Sequence, residues 1–558
     1  MRAPRRFIFL LFICLLFISW CSESDVIALP VVQKSILPNQ LVILHAEDHS
    51  LPFVTLELLV DGGSRSDPPG QEGLSYLTAK GLLLGTSVHS AGRINEDIDY
   101  LGASINTSSG KDYSTLTLRV LKKDLEKGLD IFMEVLTKPT FPDEEVRREK
   151  EKTIAGIQAE DDQPGEVAEK EFRKALFRTS PYGHPVNGTK ESIPKITRDS
   201  MDRFYKSYYR PNNCVLAVSG DISAEEVKTG LMPRFSSMLA GEVPPASFTS
   251  VFAKGHETIK VNKEITQANI IIGSEGISRG NPDFYAVSVM NYILGGGGFA
   301  SRLLEEIRNK RGLAYSVESF FDAGKYPGSF QIVLQTKNAS AGEAISLALQ
   351  QMELIRKEPV SDKELDGARK YLIGSFPMLI DTQAKLTDFL LRVQYYGLGL
   401  DFPEKYPSLI QSITKEDVLR VAKKYLHPED YILVVVADLK ESGMNTAAYF
   451  RKISDQKDIT QHDLGITVYN ITPRLQKELN IEDNRGIVVT AVRPDSPADA
   501  AGMKVGDVIL QIDRKPVGSV KDFESIIGRW EDTRIIELLV KRLGKSSYVV
   551  IGSYLNTI

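Results

Sequence analysis

The chain is poor in the residues that most often carry direct chemistry. It has 3 cysteines and 7 histidines in 558 residues. Cys14 and Cys21 fall at the very start, which leaves Cys214 alone in the body. One thiol cannot build a disulfide framework within folded domains. Cys214 opens the apolar run Cys214-Val-Leu-Ala-Val-Ser219, where a buried structural thiol is expected rather than a nucleophile. Runs of lysine or arginine are also missing. With 68 basic against 73 acidic residues the net charge is −5, which excludes the basic surface that nucleic acid requires. Only one long apolar run exists, Phe7 to Trp20, and it is too short for a comfortable membrane span.

That run is informative. Arg2, Arg5 and Arg6 precede it, the arrangement of a secretory signal over residues 1–21. Cys21 follows Ile18-Ser19-Trp20, as in a bacterial lipoprotein signal, although Trp20 stands where such sites take a small residue. Lipid attachment at Cys21, cleavage elsewhere and a short uncleaved anchor all stay open. Each places the body outside the cytoplasm, in a bacterial periplasm, and the first would anchor it to a membrane.

The body contains an internal repeat. Tyr208-Tyr-Arg-Pro-Asn-Asn-Cys-Val-Leu-Ala-Val-Ser-Gly-Asp221 returns in pattern as Tyr425-Leu-His-Pro-Glu-Asp-Tyr-Ile-Leu-Val-Val-Val-Ala-Asp438. Both read as a helix end, a proline turn and a buried strand. Charged helices opening at Pro142-Asp-Glu-Glu-Val146 and Ser361-Asp-Lys-Glu-Leu365 repeat at nearly the same offset. Strands such as Val54 to Val60 and Ser114 to Val120 alternate with amphipathic helices, one carrying Leu125, Leu129, Phe132, Met133 and Leu136 at helical spacing. The expectation is an α+β body made twice, over 30–240 and 251–441. Gly241 to Ser250 would be a linker, and polar residues near 442 to 461 a second one leading to a third unit.

Gly73 to Thr86 follows an apolar strand and a turn rich in glycine and proline, with Leu74, Leu77, Gly81 and Leu84 on a buried helix face. Here the chain resembles the pitrilysin and insulinase metallopeptidase family. The resemblance implies two duplicated sheet-plus-helix domains of the mitochondrial-processing-peptidase-like metallohydrolase fold. In that family this helix carries H-x-x-E-H, two zinc-binding imidazoles on one face with a glutamate as general base. The matching positions here are Tyr76, Ala79 and Lys80. The family's third ligand, a later glutamate, corresponds to Ala155, and a slipped alignment would bring Glu151 or Glu160 near it. One carboxylate cannot replace two imidazoles, and an ammonium at Lys80 repels Zn²⁺. This chain is therefore expected to bind no cofactor itself. His45-Ala-Glu-Asp-His49 looks like a metal motif, but it is placed at the end of a strand from Leu41 to Leu44 and not on a helix, so its spacing does not pair the two rings. His184 matches a structural family loop.

The second half is similar to the family at its most specific signature there, Leu294-Gly-Gly-Gly-Gly-Phe-Ala-Ser-Arg-Leu-Leu-Glu-Glu-Ile-Arg-Asn-Lys-Arg-Gly-Leu-Ala-Tyr-Ser-Val317. The glycines lack the ending of a phosphate loop. By resemblance, Arg308 and Tyr315 hold the substrate backbone and the developing oxyanion at the zinc of a facing domain, a task suited to a guanidinium and a phenol. Leu101 to Ser109 resembles the edge strand on which the family lays out substrate. Beyond these, residues 462–555 resemble a small β-rich PDZ domain. Leu464, Gly465 and Ile466 would form its carboxylate-binding loop, and a helix from about Val520 to Trp530 its second wall.

Losing one half of a site while keeping the other implies a non-catalytic subunit. Its partner would be a family member that carries H-x-x-E-H and the zinc, its substrates peptides or unfolded proteins, and its PDZ ligands C-terminal peptides. The competing expectation is a PDZ-containing peptide-binding or chaperone-like envelope protein without proteolytic role.

Overall fold

The computed structural model describes residues 31–442 except 246, 247, 249–251 and 254, and further on 460–461, 464–471, 486–493, 496–527, 535–542 and 545–552. The signal with Cys21 lies outside these residues. Among them no helix is long and apolar enough to cross a membrane.

The first half is built on six strands: β1 (Val32–Ile36), β2 (Val42–Glu47), β3 (Phe53–Val60), β4 (Ser104–Ser109), β5 (Ser114–Leu121) and β6 (Cys214–Gly220). Their order is β1-β2-β6-β3-β5-β4. Its longer regular helices are α1 (Leu74–Gly81), α2 (Ala91–Tyr100), α3 (Leu125–Thr137), α4 (Asp143–Asp162), α5 (Pro164–Phe177) and α6 (Arg198–Tyr208). The second half has β7 (Glu257–Asn262), β8 (Gln267–Glu275), β9 (Ala314–Asp322), β10 (Ser329–Lys337) and β11 (Ile432–Ala437), in the order β7-β11-β8-β10-β9. Its helices are α7 (Phe284–Asn291), α8 (Ala341–Lys357), α9 (Asp362–Ser375), α10 (Gln383–Tyr395), α11 (Phe402–Gln411) and α12 (Lys415–Tyr425).

The duplication is visible strand for strand. In each half one parallel pair, β2 with β6 and β7 with β11, is followed by antiparallel neighbours in the same succession. The repeated segments read from the sequence are β6 and β11, and the repeated charged helices are α4 and α9. Ser361 caps α9 in a reciprocal pair with Glu364, which explains why the chain turns helical at that point.

Both central strands are buried on two faces. On β3, Val54, Leu56, Leu58 and Val60 enter the core of the first half. Leu59 on the other face packs with Leu386, Leu390 and Leu391 of α10, a helix that belongs to the second half in sequence. On β11, Leu433 and Val435 face their own half, while Ile432, Val434 and Val436 meet Ala168, Phe172 and Leu176 of α5 from the first half. The halves thus exchange one helix each, and both sheets need the exchange to be covered on both sides. A Cβ on Gly273 would lie 2.5 Å from the Phe172 ring, so the residue under α5 has to be glycine. The linker is also tied in, at Gly241 through two hydrogen bonds with Asn212 and at Phe248. Phe248 stacks on Tyr326 with ring centroids 4.1 Å apart and meets Tyr182 edge-on at 4.7 Å.

A polar cluster fastens the halves together. The turn between β9 and β10 reaches into the first half. There Lys325 Nζ donates to Asp61 at 2.7 Å and its backbone N–H to Asp112 at 2.8 Å. Buried Arg65 pairs with Asp61 and lies 3.5 Å from Asp112. Tyr395 of α10 donates to Asp61 at 2.8 Å. Burial would raise Asp61, but Arg65, Lys325 and Tyr395 hold it below the usual carboxylate range.

The third unit has β12 (Thr460–Gln461), β13 (Ile466–Asn470), β14 (Ile487–Val492), β15 (Val508–Ile512), β16 (Lys515–Pro516), β17 (Ile536–Arg542) and β18 (Lys545–Ile551). They run β12-β13-β14-β15-β17-β18, with β16 beside β15. The predicted second wall is α13 (Val520–Ile527), and its expected continuation to Trp530 lies outside the described residues.

Candidate functional site

Helix α1 begins where buried Asp67 accepts two N–H groups, from Gly73 at 2.8 Å and Ser75 at 2.7 Å, which satisfies donors that a buried helix start would otherwise leave unpaired. Leu74 and Leu77 face the core, and a Cβ on Gly81 would come within 2.6 Å of the Phe141 ring. The helix ends at Gly81, so Leu84 packs from the following turn. Tyr76 and Lys80, one turn apart, share the half-exposed face, with the Lys80 ammonium 5.8 Å from the Tyr76 ring centre. Burial and the Glu149 and Glu160 carboxylates of α4 push the Tyr76 phenol up. Ala79 is buried, and Ala155 is exposed on α4. Of the two neighbouring carboxylates, Glu160 is held by Asn187 at 2.9 Å and Lys170 at 3.1 Å, and exposed Glu151 by Arg147 at 2.6 Å.

This donor set does not fit zinc. Tyr76, Ala79, Lys80 and Ala155 bring a phenol, two methyl groups and an ammonium, with no imidazole or carboxylate among them, and the ammonium opposes a dication. Among the described residues no three His, Cys, Asp or Glu side chains come together to hold a metal. His45 and His49 have separate partners. His45 lies within β2, which runs past the expected end of that strand, and its buried Nε2 meets the Ile222 carbonyl at 2.8 Å. Exposed His49 bridges Asp221 at 2.5 Å and Glu47 at 2.8 Å, and both carboxylates raise its pKa. His184 is half-buried with Nδ1 3.1 Å from the Pro185 carbonyl. Cys214 is buried, which pushes its thiol up and makes it inert.

The other set of residues is on the second half. Arg308 sits in a wide helical turn, Leu304–Asn309, and Tyr315 on β9, which ends its sheet. The glycine run lets these elements approach. A Cβ on Gly295 would fall 2.4 Å from the Ser319 hydroxyl on β9, and one on Gly297 2.7 Å from the Tyr292 carbonyl. Tyr315 is 72% exposed, and the Arg308 guanidinium lies 5.4 Å from the ring of Phe299, itself 74% exposed. Among the described residues Arg308 has no ion pair and Tyr315 no hydrogen bond. Phe299 lies inside the sequence signature but was not singled out there. Its exposure is what marks it, and exposure is not written in residue type.

On the first half, β4 pairs with β5 alone among the described residues and presents its other edge. It packs beside α1, where Ser109 donates to Ser75 at 3.5 Å. No hydrogen bond or ion pair among the described residues joins Tyr76 and Lys80 to Arg308 and Tyr315. In the third unit Leu464 and Ile466 are fully buried. Gly465 between them has φ +82°, and a Cβ there would strike Ser496 at 2.1 Å. The loop therefore holds its shape only with glycine.

Three family models match the chain. Residues 42–190 match the model for insulinase, peptidase family M16, residues 195–372 that for the peptidase M16 inactive domain, and residues 462–551 that for a PDZ domain. The chain is 28% identical to an uncharacterized zinc protease of Streptomyces coelicolor, over 75% of this chain and 92% of that one. It is 25% identical to the non-peptidase homolog YmxG of Helicobacter pylori, over 72% and 92%. Among solved structures, a peptidase M16 inactive domain from Pseudomonas fluorescens superposes with TM-score 0.69 at 30% identity, covering 73% of this chain and 98% of that one. A Helicobacter pylori protease shares the fold at 19% identity, with TM-score 0.67 over 73% and 100%. With an insulinase-type match in the first half, an inactive-domain match that reaches into the second and a C-terminal PDZ match, this chain belongs to peptidase family M16.

Proposed function

We propose that this chain is the zinc-free subunit of a heteromeric M16 peptidase that degrades peptides or unfolded proteins outside the cytoplasm. The observation that carries this reading is the contrast between the halves. Tyr76, Ala79 and Lys80 offer no imidazole or carboxylate, while exposed Tyr315 and half-buried Arg308 have no protein acceptor for their side chains among the described residues. A facing subunit with H-x-x-E-H supplies the metal. Here, a substrate strand pairs along β4 or its counterpart on the partner. Arg308 and Tyr315 donate to a substrate carbonyl as it gains negative charge. The charged and apolar start of the chain supports export to a bacterial periplasm, with a lipid at Cys21 or cleavage nearby.

The test is reconstitution with whichever H-x-x-E-H protein purifies with this chain from its host. Arg308→Ala and Tyr315→Phe, both surface changes, should each lower kcat/KM by about 10²-fold without altering complex formation. Full proteolysis by both variants would sink the proposal. A second reading, a PDZ-containing binding protein with no proteolytic role, has its support in the PDZ match and in the relative named a non-peptidase homolog. It gains if no H-x-x-E-H protein is recovered in near-equal amount.

A further inference from the structure

The PDZ unit carries a feature that its groove does not require. A peptide bound by such a unit adds as a strand to a free edge and points its C-terminus at the carboxylate loop. The strand offering that edge is β13, which starts at Ile466 directly after Leu464 and Gly465. One edge of β13 is taken by β14, and α13 stands by its far end, with the Val520 N–H donating to the Asn470 side chain at 2.7 Å. The other edge is already paired. Thr460 lies opposite Val468 and Gln461 opposite Thr467, antiparallel. This short strand, β12, runs toward the carboxylate loop and reaches Leu464 three positions after Gln461. Its edge, its direction and its end point are all those of a bound C-terminal peptide.

We propose that residues 460–461 act as a built-in ligand mimic, so that an incoming C-terminus must peel them from β13 before it can pair with Thr467 and Val468. The inference rests on the reading that this unit binds C-terminal peptides. The apparent affinity of such a ligand falls by the fraction of time that β13 is uncovered, and for a pair of residues this factor is roughly tenfold. Because β12 ends the segment that joins the M16 body to this unit, ligand capture also frees the end of that connection.

The experiment uses the full chain and a Thr460→Pro/Gln461→Pro variant, since proline cannot donate to the ladder. In hydrogen–deuterium exchange the variant is expected to exchange faster at 466–468 while β15 and β17 keep their protection. Unchanged exchange at 466–468 overturns the proposal. If protection is lost throughout the unit, Thr460→Gly/Gln461→Gly replaces it, weakening the pairing through chain entropy alone. The second arm measures fluorescence anisotropy with a labelled decapeptide ending in valine, with its C-terminal amide as control. The variant is expected to bind the free acid roughly tenfold more tightly than the natural chain, and equal affinity overturns the mimicry. Faster exchange with no binding by either protein would refute C-terminal peptide binding, and the mimicry with it, while leaving the strand pairing established.

Discussion

Glu57 lies on the face of β3 turned toward α10, where it is 9% exposed and meets another carboxylate, Asp388. Burial first, and Asp388 second, push it up to about 7; the Thr115 and Thr117 hydroxyls and the Arg392 guanidinium pull the other way. Asp388, itself raised by burial, is paired with Arg392 at 2.6 Å. The folded chain therefore keeps the Glu57 proton to about pH 7, whereas the unfolded chain releases it near the ordinary 4.5. Folding takes up a proton between these values. The cost is absent below pH 4.5, grows as pH rises and reaches about 3 kcal/mol above pH 7. Glu57→Gln removes it while keeping the shape. Calorimetric melts should show the variant more stable than the natural chain at pH 8, with the difference closing by pH 5. A difference independent of pH would mean that Glu57 does not titrate in this range.

Among the elements, the exchanged helices matter most. Phe172 on α5 reaches Gly273 on β8, and the two should behave as a pair. Phe172→Ala should cost about 3–5 kcal/mol and Gly273→Ala about 1–3 kcal/mol. Part of the second cost should disappear when both are changed, because the added methyl meets the Phe172 ring and also the Phe330 carbonyl, 2.5 Å away. Urea denaturation of the two single variants and the double variant measures this coupling, and strict additivity would contradict the packing. The same elements show how far sequence reading reaches. The apolar runs of β3, β6 and β11 are local patterns, and the structure has them as strands. For α5 the sequence spells an apolar stripe, Ala168, Phe172 and Leu176, but a stripe does not say which sheet it covers. That choice comes from a contact distant in sequence, as does the salt bridge of Lys325 with Asp61. The exposure of Phe299 is equally silent in the sequence.

At the scale of the whole molecule, the division at 241–250 is a boundary in sequence and not in space. A fragment of residues 31–245 would leave Leu44, Ala46, Leu59 and Ala217 without α10, and one of residues 252–442 would leave Ile432, Val434 and Val436 without α5. Each would expose an apolar sheet face of the kind that drives aggregation. Expressed singly, neither fragment should yield a soluble monomer with a cooperative melt. Expressed together, they should elute as a 1:1 complex in size-exclusion chromatography. A soluble, cooperatively melting fragment would show that the helix exchange is dispensable.

The exchange also decides where this protein can move. A hinge between the halves would have to draw α5 off β8 and β11, draw α10 off β3 and β6, and pull the Lys325 turn away from Asp61 and Asp112 at the same time. Hinges form where a few residues absorb the motion, and among the described residues these contacts leave no such seam between the halves. If the chain acts as the proposed subunit, the opening that admits a long substrate is expected where the two chains meet rather than within this M16 body.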